Sequence, residues 1–270
     1  MKSYNKLINS ISSKKSMLCV GLDSDINKIP NCFEKNILGL FEFNKIIIEQ
    51  TQNICSAYKI NFAFYEQYGN EGFELIKRTL QIIPENIFTI ADAKRGDIGN
   101  TSAAYSKSVF NHFNFDSITV NPYMGLDSIS PFLEDKSKFI FLLALTSNKG
   151  SNDFQRLISD GKPIYQHIIE KSAKEFSYEN LGFVIGATHP DELAELRKII
   201  PENPILIPGV GAQGGDIQAI KKANSNSTAL INVSRAIIYP EINSTEKISK
   251  ENFANLVKNT TINFNKNIAF

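Results

Sequence analysis

Eight short apolar runs, each closed by a polar or glycine-containing turn, constrain this chain more than any other feature. They are Met17–Leu22, Ala57–Ile60, Ile87–Ala91, Ser117–Val120, Phe139–Leu145, Phe183–Gly186, Ile205–Pro208 and Thr228–Val233. Within each run the apolar residues are continuous. A strand with one solvated face would alternate, so continuity implies burial on both faces, as in a parallel sheet covered by helical crossovers. Helical spacing fills several of the gaps: Phe41, Phe43, Ile46 and Ile47 leading to Ile54; Phe73, Ile76 and Leu80; Leu193, Leu196, Ile199 and Ile200. Eight β/α repeats favour a closed (β/α)8 TIM barrel over an open doubly wound sheet. At 270 residues the chain fits one such domain, residues 1–270, with no visible linker. The longest irregular piece is Thr146–Asp160, and the tail after Ser244 reads as a final helix.

Composition removes other classes. An apolar content of 42% with 21% charged residues is ordinary for a globular protein, and a net charge of +1 argues against a broad nucleic-acid surface. No run approaches the roughly 18 apolar residues of a membrane span. The N-terminus carries lysines but no signal-peptide core, its first apolar run being only Met17–Val20. Cys19, Cys32 and Cys55 lack metal-ligand spacing, and Cys19 and Cys55 sit in apolar contexts as small hydrophobes. A reducing, cytoplasmic location is the expectation. His112, His167 and His189 are scattered on helices or at a helix start, which suits surface or helix-end roles.

A barrel keeps its chemistry at the C-terminal ends of its strands. Polar residues stand at those ends: Asp23; Lys59 and Asn61; Asp92 and Lys94; Asn121; Thr146 and Ser147; Thr188; Gly209 and Gly211; Ser234 and Arg235. The densest group is in Ala91–Thr101, ADAKRGDIGNT. On a strand, residues two apart share a face, so Asp92 and Lys94 emerge side by side. Arg95 and Gly96 then break the strand, leaving Asp97 on the loop or the first helical turn. Charges crowded at a strand end cost solvation unless they pair. A structural ion pair would satisfy that, but the position favours catalysis. Farther on, Pro208–Asp216 is a glycine-rich loop entering a helix. Its backbone can approach an anion closely, and Arg235 after the next strand can fork onto phosphate oxygens.

Asp-x-Lys-x-x-Asp-Ile followed by Gly-Asn-Thr resembles the active-site signature of orotidine 5′-monophosphate decarboxylases. VGLDSD (Val20–Asp25), YKINFAFYE (Tyr58–Glu66), VNPYMG (Val120–Gly125), LALTSNKGSNDFQ (Leu143–Gln155), IPGVGAQGGD (Ile207–Asp216) and NVSRAIIY (Asn232–Tyr239) resemble the same family in the same order. The set is similar to the branch found in some bacteria and apicomplexans. The resemblance implies decarboxylation of orotidine 5′-monophosphate to uridine 5′-monophosphate, the last step of pyrimidine nucleotide synthesis, with no metal and no organic cofactor. It implies that Lys94 protonates C6, that Lys59 holds the aspartates and contacts the ribose, and that Asp92 faces the substrate carboxylate. Lys59, Asp92, Lys94 and Asp97 would alternate in one array. Asp23 and Asn61 would bind ribose hydroxyls, Ser147 the pyrimidine edge, and Gln213 and Arg235 the 5′-phosphate. Asp97 and Thr101 would reach the neighbouring subunit's site in a homodimer.

Two other readings compete. Metal-dependent phosphosugar enzymes of the same superfamily, such as 3-keto-gulonate-phosphate decarboxylase or hexulose-phosphate synthase, share Asp-x-Lys-x-x-Asp. They place an acidic metal ligand at the second strand, where Lys59 stands here. A non-catalytic phosphate-ligand binder would have no reason to keep all four charged residues.

Overall fold

The structure is a computed structural model that describes residues 1–210, 216–241 and 248–269. Eight parallel strands close into a barrel: Leu18–Leu22, Ala57–Asn61, Phe88–Arg95, Ser117–Val120, Phe139–Leu145, Leu181–Ile185, Ile205–Ile207 and Ala229–Val233. Each coincides with one of the apolar runs to within a residue or two, except that the third continues to Arg95 and the sixth starts at Leu181. Closure comes from the first strand pairing with the eighth, Leu18 opposite Ile231.

Alternation along each strand sorts the side chains into two cores. Leu18, Val20, Leu22, Tyr58, Ile60, Ile118 and Val120 face outward into the layer beneath the helices. Those helices include Ile37–Thr51, Gly69–Gln81, Ile164–Glu175, Pro190–Ile199, Ile217–Asn224 and the final helix Lys250–Ile268. Their starts carry side-chain caps where the sequence supplies them: Asn36 accepts from Gly39 N, Asp216 from Gln218 N and Ala219 N, and Ser249 from Asn252 N. No described helix is long and apolar enough to cross a membrane.

Inside the barrel, Cys19, Ala57, Phe88, Ile90, Phe139, Phe141, Val184, Leu206 and Leu230 form the second core. Leu7 and Ile11 join it from the helix Ser3–Lys14, which plugs the barrel floor. The plug is pinned by polar contacts: Ser10 Oγ donates to Ser56 O at 2.7 Å, Ser3 N to Ser137 O at 2.7 Å, and Lys6 pairs with Asp116 at 2.7 Å. This helix was absent from the sequence reading. Its apolar residues Tyr4, Leu7, Ile8 and Ile11 do follow helical spacing, so the signal was present in the sequence, interleaved with Ser, Asn and Lys.

The stretch Thr146–Asp160 is more regular than its sequence suggests. It holds a helical turn, Ser151–Phe154, and one arm of a small hairpin that pairs Ile158–Ser159 with Lys162–Pro163. Cys19 and Cys55 are buried, and burial pushes the Cys55 thiol up to about 11, so it packs as a hydrophobe. The three histidines lie where the sequence put them. His112 ends a π-helical turn, His167 lies in Ile164–Glu175, and His189 caps Pro190–Ile199.

Candidate active site

At the mouth of the barrel the inward positions change from apolar to charged. One turn of alternation above Ala57 on the second strand stands Lys59, and above Ile90 on the third stands Asp92. Lys59 Nζ donates to Asp92 Oδ2 at 2.7 Å and lies 3.6 Å from Asp23 Oδ1. Lys94 Nζ donates to Asp92 Oδ1 at 2.5 Å. The aspartate thus sits between two ammonium groups, one buried and one half-exposed. Burial works to raise the Asp92 pKa, but Lys59 and then Lys94 outweigh it and hold the carboxyl well below its usual range. For Lys59, burial favours the neutral amine; Asp23 and Asp92 outweigh that and push the ammonium above its usual range. Lys59 and Asp92 are therefore held in their charged forms.

Lys94 meets Asp92, but not by simple alternation. The third strand bulges before it pairs again at Arg95, and Lys94 takes a left-handed conformation with φ of 49°. That region is uncommon for a residue with a β-carbon, and such outliers gather at functional sites. Thr119, on the fourth strand, accepts from Lys94 N at 3.0 Å and donates to Asp92 Oδ1 at 3.1 Å.

A cavity of about 180 Å³ opens over this relay, lined by Asp23, Lys59, Asn61 and Asp92 on one side and by Pro208, Gly209, Asn232, Ser234 and Arg235 on the other. A larger cleft, about 580 Å³, lies elsewhere between Lys6, Gln81 and Asn114. Buried charge, not size, identifies the site. Among the described residues, two buried acceptors in the smaller cavity have no hydrogen-bond partner: Asn232 Oδ1, and Asp23 Oδ1, which has only the Lys59 ammonium at 3.6 Å. A buried acceptor without a hydrogen bond costs about 1–3 kcal/mol, less where an ion pair compensates as at Asp23, so both have room for a donor from a ligand. Among the described residues no cluster of three His, Cys, Asp or Glu is arranged to hold a metal ion.

The remaining expected residues fall into three groups. Asn61 and Arg235 line the cavity, Arg235 exposed at the first position of the short helix Arg235–Ile238. Ser147 follows the fifth strand on a loop fixed through its neighbour: Thr146 N donates to Gln155 Oε1 and Gln155 Nε2 to Thr146 Oγ1, both at 2.8 Å. Asp97 and Thr101 stand apart from the relay. The Asp97 carboxylate accepts from Ile98 N at 2.8 Å and has no cation within ion-pair distance among the described residues, while Thr101 is exposed on the helix Gly99–Lys107. Within one chain, then, the array is Lys59, Asp92 and Lys94 with Asp23, and Asp97 does not join it. Gln213 and Gly211 lie outside the described residues.

Thr119 and Asn232 were not singled out from the sequence. Each occupies an inward position near the end of an apolar run, as Lys59 does, and that shared position was the available signal.

The description "Orotidine 5′-phosphate decarboxylase / HUMPS family" belongs to the family model that matches residues 16–250. A curated orotidine 5′-phosphate decarboxylase of Christiangramia forsetii is 51% identical over 239 residues, 87% of this chain and 88% of that protein. One from Phocaeicola vulgatus is 47% identical over 256 residues, covering 92% and 91%. Among solved structures, the OMP decarboxylase of Leishmania donovani superposes with a TM-score of 0.80 at 34% identity, covering 97% of this chain and 99% of that one.

Proposed function

The chain belongs to the orotidine 5′-phosphate decarboxylase / HUMPS family, and we propose that its Lys59–Asp92–Lys94 relay carries out a decarboxylation that needs no metal or organic cofactor. The substrate is orotidine 5′-monophosphate, and the products are uridine 5′-monophosphate and CO2. The C6–carboxylate bond breaks, its electron pair stays on C6, and the Lys94 ammonium supplies the proton that makes the new C6–H bond. The ring cannot delocalise that pair, so the barrier is lowered by charge already in place. Lys94 faces the developing carbanion. Asp92 holds Lys94 and lies against the substrate carboxylate. At an effective dielectric near 20, two like charges at about 4 Å repel by roughly 4 kcal/mol, which places Asp92 where loss of CO2 relieves strain.

The relay geometry supports this reading over the metal-dependent alternative. Lys59 already neutralises the two carboxylates that a divalent ion would need, and an ammonium 2.7 Å from Asp92 would repel such an ion. The acceptors of Asp23 and Asn232 suit ribose hydroxyls, together with Asn61. Arg235, with Gln213, takes the 5′-phosphate, and Ser147 the pyrimidine edge. The test follows the ultraviolet absorbance of orotidine 5′-monophosphate with purified protein and excess chelator. Turnover is expected; activity that vanishes with chelator and returns with Mg²⁺ would transfer the protein to the phosphosugar group.

The working unit in this reading is a cytoplasmic homodimer with shared sites. Asp97 and Thr101, which lack a place in their own relay, serve the partner's. Mixing Lys94→Ala with Asp97→Ala protein tests it, because a heterodimer collects both defects in one site and none in the other. Random reassortment restores about a quarter of the sites. A mixture that stays inactive after demonstrated subunit exchange would assign Asp97 to its own subunit.

A further inference from the structure

The third strand pairs with the fourth at Ala91–Ile118 and again at Arg95–Val120. Between those points Asp92, Ala93 and Lys94 oppose the single residue Thr119. The bulge removes the Lys94 amide from the strand ladder, and Thr119 Oγ1 receives it instead at 3.0 Å. An amide can only donate, so the hydroxyl must accept there. Its one proton is then directed to Asp92 Oδ1, 3.1 Å away, which must act as the acceptor. Thr119 is 1% exposed, so solvent does not compete for either bond.

We infer that Thr119 is a positioning residue for the reaction: its hydroxyl ties the left-handed turn at Lys94 to the carboxylate of Asp92, and so fixes the ammonium and the anion as one unit. The inference rests on the decarboxylase reading. A side chain of the same shape without the hydroxyl would fill the barrel equally well. It would leave the Lys94 amide unpaired and the turn free to relax toward ordinary strand geometry, carrying the ammonium away from C6. A displacement of that kind slows the chemical step more than it weakens binding of a ligand held mainly by its phosphate and ribose.

The test compares Thr119→Val with Thr119→Ser, measuring kcat on orotidine 5′-monophosphate, the Kd of uridine 5′-monophosphate and the melting temperature. Thr119→Val is expected to lower kcat by about 10- to 100-fold, for two lost hydrogen bonds, with product affinity changed less than about threefold. Thr119→Ser keeps the hydroxyl and is expected to stay within about threefold of wild type in both. If the valine variant does not fold, Thr119→Ala replaces it under the same criteria. A valine or alanine variant with wild-type kcat, a serine variant as slow as the valine one, or equal losses in kcat and product affinity would each overturn the role. A wild-type protein without turnover would overturn the decarboxylase reading and this role with it.

Discussion

At the floor of the barrel Phe88, Phe139 and Phe141 meet edge-on over the helix Ser3–Lys14, with centroids 6.4 and 5.0 Å apart. A few ångströms up the same barrel, Lys59, Asp92 and Asp23 share the space instead. The backbone is the same and the inward positions continue the same alternation, yet the two ends differ in what they cost. Each floor side chain gains about 25 cal/mol for every Å² of apolar surface it removes from water. The mouth takes charges out of water, and a buried ion pair seldom recovers that cost against well-packed apolar residues. Among the described residues it also leaves the Asn232 Oδ1 and Asp23 Oδ1 acceptors without a hydrogen bond. Stability is concentrated at one end of the barrel, and the other end is held away from its most stable composition in a form suited to a ligand.

Substitutions at the two ends should therefore separate activity from stability. The largest effect is expected at Lys94. Lys94→Ala should lower kcat by about 10³- to 10⁴-fold, since it removes both the proton donor and the fixed cation. Its half-exposed side chain contributes little to packing, so the melting temperature should stay near wild type. Comparable losses of both would erase the distinction. At the floor, Leu7→Ala or Phe139→Ala should cost about 2–5 kcal/mol in denaturant unfolding, leaving kcat of the folded fraction intact. Arg235→Ala comes next, weakening uridine 5′-monophosphate binding by roughly 10- to 100-fold through loss of a charge-assisted contact. An unchanged Kd would remove Arg235 from the phosphate site.

The smallest effect is on stability near neutral pH. Asp92 has a depressed pKa in the folded state, so its contribution is complete above the ordinary value of 3.8 and is lost as pH falls toward the depressed one. Lys59 is shifted the other way. Its contribution is complete below 10.5 and is lost as pH rises through the elevated folded value. Between those limits the relay should leave stability independent of pH. On the acid side Asp92 should add a slope of up to about 1.4 kcal/mol per pH unit, which Asp92→Asn should abolish. An acid limb identical in the variant would show that other carboxylates govern it.

The two ends were not equally legible in the sequence. Strands buried on both faces write continuous apolar runs, so Ser117–Val120 and Phe139–Leu145 could be delimited to the residue. The charges at the mouth were legible because Lys59 and Asp92 interrupt such runs. Three things escaped for physical reasons. Alternation alone accounted for the meeting of Asp92 and Lys94, but it takes a bulge and a φ of 49°, and neither Gly nor Asn marks the spot. The floor plug carries a helical stripe, Tyr4, Leu7, Ile8 and Ile11, so the helix itself was legible; what escaped is its place, because what Leu7 and Ile11 bury against is supplied by strands far away in the chain. Asn232 carried a polar atom into the cavity from within an apolar strand, and its importance lies in a missing partner, which no sequence displays.

The plug also sets an order of events during synthesis. Leu7 and Ile11 leave the ribosome before the strands of the barrel, but the core they join includes Phe139, Val184, Leu206 and Leu230, and Leu18 waits for Ile231 before the ring closes. Until then the edge of the first strand is open and the underside of the nascent sheet is greasy. Such an edge invites pairing with other chains. The segment Ser3–Lys14 interleaves lysines and serines with Tyr4, Leu7, Ile8 and Ile11, so a stopper made long before its bottle carries polar residues through that wait.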